Sequence, residues 1–156
     1  MAAVTRAGDD AERSDGEQRR QMNTAPAHLA GKRSRDAVGA RDKDAWLAVF
    51  ADDAIVEDPI GPSHFDPEGK GHRGRDAISA FWDKAIAPTD KIEFVFRDTY
   101  QCGNEEANVG HIVIVASGYR VEAEGVFTYR VNDEGKIVAL RAYWELDKAT
   151  ASARPV

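Results

Sequence analysis

The second half of the chain constrains the fold most. Four segments, about 91–98, 108–117, 119–131 and 136–146, carry the β-branched, aromatic and alternating pattern of strands. The last three are separated only by Ser117-Gly118 and by Asn132-Asp133-Glu134-Gly135. Links that short reverse the chain at once, so the spacing predicts antiparallel hairpins and a meander. Ile112, Ile114, Phe127, Tyr129, Leu140, Ala142 and Trp144 fall on alternate positions and share one sheet face, as core residues do.

Three helical segments come first. From about 27 to 38 the inner stripe is Ala27, Ala30, Gly31, Ser34, Ala37 and Val38, nearly all small. Such a face either packs very close to its neighbour or leaves space beside it. Thr24 is the expected N-cap, with Pro26 in the first turn. A second helix is expected over 43–50, with Trp46, Leu47 and Phe50 inward, and a short strand over 54–58 closed by Pro59. After a Pro- and Gly-punctuated loop over 61–74, Ile78, Phe81, Trp82, Ala85 and Ile86 mark a third helix that ends before Pro88. Helices followed by a meander imply an α+β domain whose helices cover one face of the sheet.

The chain has 156 residues, enough for one domain, expected over 24–148. Residues 1–23 are charged, rich in Gly and Ala and without apolar periodicity, so a disordered extension is expected there, with Met22 as an alternative start. The stretch 149–156 reads as a flexible tail. A formal net charge of −6 argues against a general nucleic-acid binder. Cys102 is the single cysteine, so no intramolecular disulfide can form. No stretch approaches the ~20 apolar residues of a membrane span and no secretory signal is evident, so a cytoplasmic location is expected.

Gly69-Lys70-Gly71-His72-Arg73-Gly74 matches a G-x-G-x-x-G string, but no strand leads into it and no parallel βαβ unit surrounds it, so a nucleotide site is not expected. Lys70, His72, Arg73 and Arg75 still cluster before a helix, where they would attract an anionic substituent on a ligand. His28, His64, His72 and His111 lack metal-ligand spacing, so neither a metal nor a cofactor is expected. Asp58, at the end of its strand, is the one candidate general base, and hydrogen bonding to nearby backbone is its bland alternative.

Two strings sharpen this reading. The run from Ala51 to Gly61, A-D-D-A-I-V-E-D-P-I-G, resembles the segment that carries the catalytic base in ketosteroid isomerases. Val126 to Ile137, followed by Ala142-Tyr143-Trp144, is similar to their last two strands. The resemblance, to the NTF2-like or SnoaL-like superfamily, covers about 27–147. It implies a conical barrel, a curved antiparallel sheet wrapped round an apolar pocket, closed by three N-terminal helices.

It further implies a proton shuttle at Asp58 acting on a flat, steroid-like carbonyl ligand, and a homodimer formed through the outer sheet face. Phe50, Trp82, Ile112, Phe127, Tyr129, Leu140 and Trp144 would line the pocket. Here the chain departs from the family. Ser34 stands at the position of the oxyanion-binding Tyr, Phe50 and Trp82 stand at its supporting tyrosines, and Phe127 stands at the protonated Asp. Ser34, or a water, would then meet the oxyanion. A sterol or lipid carrier without catalysis, or a hydratase or cyclase of the same superfamily, are the alternatives.

Overall fold

The computed structural model of the chain describes residues 13–17, 20 and 24–156. Of the extension expected over 1–23, only 13–17 and 20 are described, with helical backbone; the remainder lies outside the described residues. Helix α1, Pro26–Gly39, begins with Pro26 in its first turn and Ala25 as its uncapped N-terminal neighbour. Thr24 is therefore not the expected cap, and its hydroxyl instead donates to the Arg20 carbonyl at 3.1 Å. The small stripe of α1 is buried along its whole length. It packs close: a Cβ on Gly31 would stand 2.9 Å from the Tyr129 ring.

Helix α2, Lys43–Ala48, is capped by Asp42, which accepts from the Ala45 amide at 2.9 Å. It stops short of Phe50, which already belongs to strand β1, Phe50–Glu57. The two-residue strand β2, His72–Arg73, was hidden inside the polar loop and pairs antiparallel with β1. Helix α3, Arg75–Phe81, runs into a π-helical turn over Trp82–Ile86, closed by the Ala87 amide on the Trp82 carbonyl. Its apolar stripe is buried as the periodicity requires.

The meander is longer than expected. Strands β3, Lys91–Cys102, and β4, Glu105–Ala116, form a further hairpin around Gly103-Asn104. The run 99–107 is too polar to show as strand in the sequence. Strands β5, Tyr119–Val131, and β6, Ile137–Trp144, complete the meander through the expected tight turns. Among the described residues the sheet has seven strands in the order β2-β1-β6-β5-β4-β3, with β7 (Arg154–Pro155) paired to β5.

Two expectations are corrected. The sheet is mixed and unclosed, not an antiparallel barrel, because β1 lies parallel to β6 and the ends of the strand order, β2 and β3, do not pair with each other. The segment beyond 148 is no flexible tail. Helix α4, Leu146–Ala151, buries Ala149, and the Ser152 hydroxyl accepts from the Glu122 amide at 2.8 Å and lies 3.2 Å from the Glu122 carbonyl oxygen. The chain then adds β7 to the stretch of β5 that β6 leaves unpaired.

Curvature has a local cause. Gly110 and Gly125 face each other in the middle of the β4–β5 ladder. A Cβ would lie 2.2 Å from the Val95 carbonyl oxygen at Gly110 and 1.9 Å from that of Tyr143 at Gly125. Only glycine admits so close an approach of neighbouring backbones. A bulge between Phe96 and Asp98 adds to the bend beside them. The sheet so formed carries two apolar clusters. One gathers the helices, β1 and Tyr129; the other is Ile112, Phe127 and Ala142 with their neighbours.

Candidate functional site

Between the two clusters lies a cavity of about 290 Å³. Its wall is almost wholly apolar, built from Val38, Trp46, Phe81 and Ile86 of the helices and from the concave row of the sheet. Among the described residues Asp58 and Lys84 are the only charged side chains that line it.

Asp58 follows directly on β1. It is held by neighbours on both sides: Glu57 accepts from Arg141 at 3.0 Å, and the Ile60 amide donates to the Ala142 carbonyl at 3.0 Å. This stitching of β1 to β6 brings Trp144 alongside, and its indole Nε1 donates to Asp58 Oδ1 at 2.7 Å. Oδ2 has no partner among the described residues. Burial is the larger influence on the carboxyl and pushes its pKa above the ordinary value, while the Trp144 bond pulls the other way. The residue keeps some accessible surface on the cavity it lines. A carboxyl so placed has one oxygen fixed and one free, and its titration lies nearer neutrality than that of an exposed carboxylate. Those are the attributes of a proton shuttle.

Ser34 also lines the cavity. Its Oγ accepts from Trp46 Nε1 at 3.1 Å, which leaves the hydroxyl proton available to another acceptor. Of the side chains expected to line the pocket, Ile112, Phe127, Tyr129, Leu140 and Trp144 are in the wall. Phe50 and Trp82 are not. Both belong to the core cluster, packed on Trp46 with ring centroids 4.7 and 5.3 Å away, and Trp46 itself takes the place in the wall. Tyr129 lies in the wall next to Gly31, and its hydroxyl accepts from Arg35 at 3.4 Å. Burial raises its pKa and keeps it a neutral phenol.

Sequence reasoning missed several lining residues. Phe65 comes from the loop after Asp58, where no periodicity marks it, and Lys84 lies on the polar side of the helical pattern. It also missed a polar cluster under α1. There Glu106, 1% exposed, binds His28 Nδ1 at 2.7 Å and Asn108 Nδ2 at 3.1 Å.

The glycine string is structural. His72 and Arg73 pair with β1, and Gly71, at φ +80°, leaves no room for a side chain between Ile55 and Glu57. Lys70 pairs with Glu68, and the His72 ring packs on Phe81 at 4.8 Å. None of Lys70, His72, Arg73 and Arg75 lines the cavity. Among the described residues no group of three or more His, Cys, Asp or Glu is disposed to hold a metal ion.

A curved, unclosed sheet covered by helices is the architecture of NTF2-like proteins. The chain belongs to the SnoaL-like domain family, whose model matches residues 32–140. RV0760c from Mycobacterium tuberculosis is 39% identical over 80% of this chain and 94% of that one, with a TM-score of 0.76. A second structure holds that protein in complex with estradiol-17beta-hemisuccinate, at 38% identity, TM-score 0.75, and 80% and 98% coverage. The Delta 5-3-ketosteroid isomerase of Mycobacterium sp. is 34% identical over 85% of this chain and 100% of its own, with a TM-score of 0.76.

Proposed function

We propose that the chain binds a flat, apolar, carbonyl-bearing ligand of steroid type and moves a proton on it with Asp58 as general base. The observation that carries this reading is the state of Asp58: Oδ1 fixed by Trp144 at 2.7 Å, Oδ2 free, and the pKa raised by burial in an apolar wall. Such a carboxylate takes a proton from carbon next to a carbonyl and returns it two carbons away without passing it to water. The likeness to a ketosteroid isomerase and to a protein seen with an estradiol ester supports the ligand class. Ser34 is the candidate donor to the developing oxyanion.

A non-catalytic carrier is the second reading, and one observation favours it. Phe127, buried and apolar, occupies the cavity wall at the position to which the sequence resemblance assigns a protonated Asp. Incubation with a 5-ene-3-ketosteroid, followed by conjugated-enone absorbance, separates the two. Catalysis requires turnover that falls by about a hundredfold or more in Asp58→Asn. Micromolar binding with no turnover in either protein would establish the carrier. The same reading includes a homodimer through the convex sheet face. Tyr100 and Tyr143 stand 60% and 50% exposed there, beside Arg141, and the readout is sedimentation at micromolar concentration.

A further inference from the structure

We infer that Lys84 selects ligands bearing an anionic group at the end left at the exposed rim of the cavity, an inference that rests on the cavity being a ligand pocket. Among the described residues Lys84 is the only cation in the wall, and it is exposed, as is Pro88 four residues on, so this part of the wall is its rim. It forms no hydrogen bond or ion pair among the described residues. The other lysines are all engaged: Lys32, Lys43, Lys70, Lys91 and Lys148 with carboxylates, Lys136 with the Ala48 carbonyl. Asp83, its neighbour in the chain, is taken by Lys43.

No carboxylate among the described residues pairs with that charge. Asp66, which like Lys84 acts as a charge on His72, turns its oxygens to the Lys70 and Gly71 amides. His72, packed on Phe81, is held from protonation by burial first, and the Lys84 charge adds to this against the pull of Asp66. Among the described residues the rim thus carries a single unpaired ammonium on a flexible stem, and the one carboxyl of the same wall is Asp58. A ligand matched to both is bipolar: apolar and carbonyl-bearing where it meets Asp58, and carboxylated, sulfated or sulfonated where it meets Lys84. The basic run 70–75, whose side chains lie outside the wall, does not supply this selection.

The test compares two fluorescent probes that differ by one sulfonate, 1-anilinonaphthalene-8-sulfonate and N-phenyl-1-naphthylamine. Lys84→Met keeps the apolar stem and removes the charge. It is expected to weaken sulfonate binding about three- to fivefold at low salt and leave the neutral probe unchanged, with added salt erasing the difference. Lys84→Glu should weaken the sulfonate further. Equal sulfonate affinity in Lys84→Met, or equal loss of both probes, overturns the inference. Estradiol 17-hemisuccinate and the neutral estradiol 17-acetate repeat the comparison. If the naphthalenes depend on Lys84 and neither steroid binds, the steroid reading fails and the role of Lys84 stands. If the steroids bind without any dependence on Lys84, the pocket stands and this inference fails.

Discussion

The chemistry of Asp58 is set by a residue 86 positions away, Trp144, and by the apolar wall around both. The string from Ala51 to Gly61 made the position legible, because a strand ending in Asp-Pro points to one carboxyl. Its partner and its burial were not legible, since both come from the pairing of β1 with β6. The same holds for Glu106 and His28, 78 residues apart, whose contact no local pattern announces. Burial raises the pKa of Asp58, so folding disfavours its ionised form. The penalty is full above the folded pKa, begins to fall as pH drops through it and is gone only below the ordinary carboxylate value of the unfolded chain. Asp58→Asn, which keeps an acceptor for Trp144, is therefore expected to be more stable than the parent at neutral pH. That gain should shrink toward zero as pH falls into the ordinary carboxylate range; urea titrations across pH measure it, and a constant or reversed difference contradicts the assignment. In the isomerase assay the acid limb of kcat/KM should lie above the usual carboxylate range. Trp144→Phe should move it higher still, because the lost bond favoured the carboxylate.

At the scale of elements, the sequence showed three of the helices and the hairpins joining β4, β5 and β6, and left their fit open. The small stripe of α1 was compatible with close packing or with space, and it does both: Gly31 packs on the Tyr129 ring, while Ser34 and Val38 line the cavity. The β3–β4 turn was invisible because 99–107 is polar on both faces, with buried Glu106 and the adjoining Asn108 satisfied by other side chains. The π-helical turn over Trp82–Ile86 has no signature in the periodicity. Phe50 and Trp82 looked like pocket residues by analogy, yet Trp46 stands between them and faces the cavity in their stead. Gly125 is the element-level device on which the curvature rests. Gly125→Ala would press a methyl group into the Tyr143 carbonyl, and we expect a loss of about 3 kcal/mol in urea unfolding. Because Trp144 pairs with Gly125, ligand affinity should fall with it; unchanged stability would show that the ladder yields freely.

For the molecule as a whole, the convex face presents Tyr100, Tyr143 and Arg141, with Arg141 held by Glu57 and stacked 5.7 Å from the Tyr143 ring. If two chains meet there, Tyr143→Glu should convert a dimer into a species of one chain's mass by sedimentation, with the cavity and its ligand affinity retained. A wild-type monomer at micromolar concentration would refute the dimer. The segment 146–156 belongs to the same scale. Its composition reads as a tail, and only the unpaired stretch of β5 gives it a place to dock. The sequence alone determined the α+β class, the meander, the helical stripes and the single carboxyl to watch, because these follow from periodicity, turn length and one short string. Tertiary structure decided the parallel β1–β6 pairing, the ordered C-terminus, the separation of wall from core and the free ammonium of Lys84 at the rim. Each of these depends on contacts between residues tens of positions apart, and no local pattern carries them.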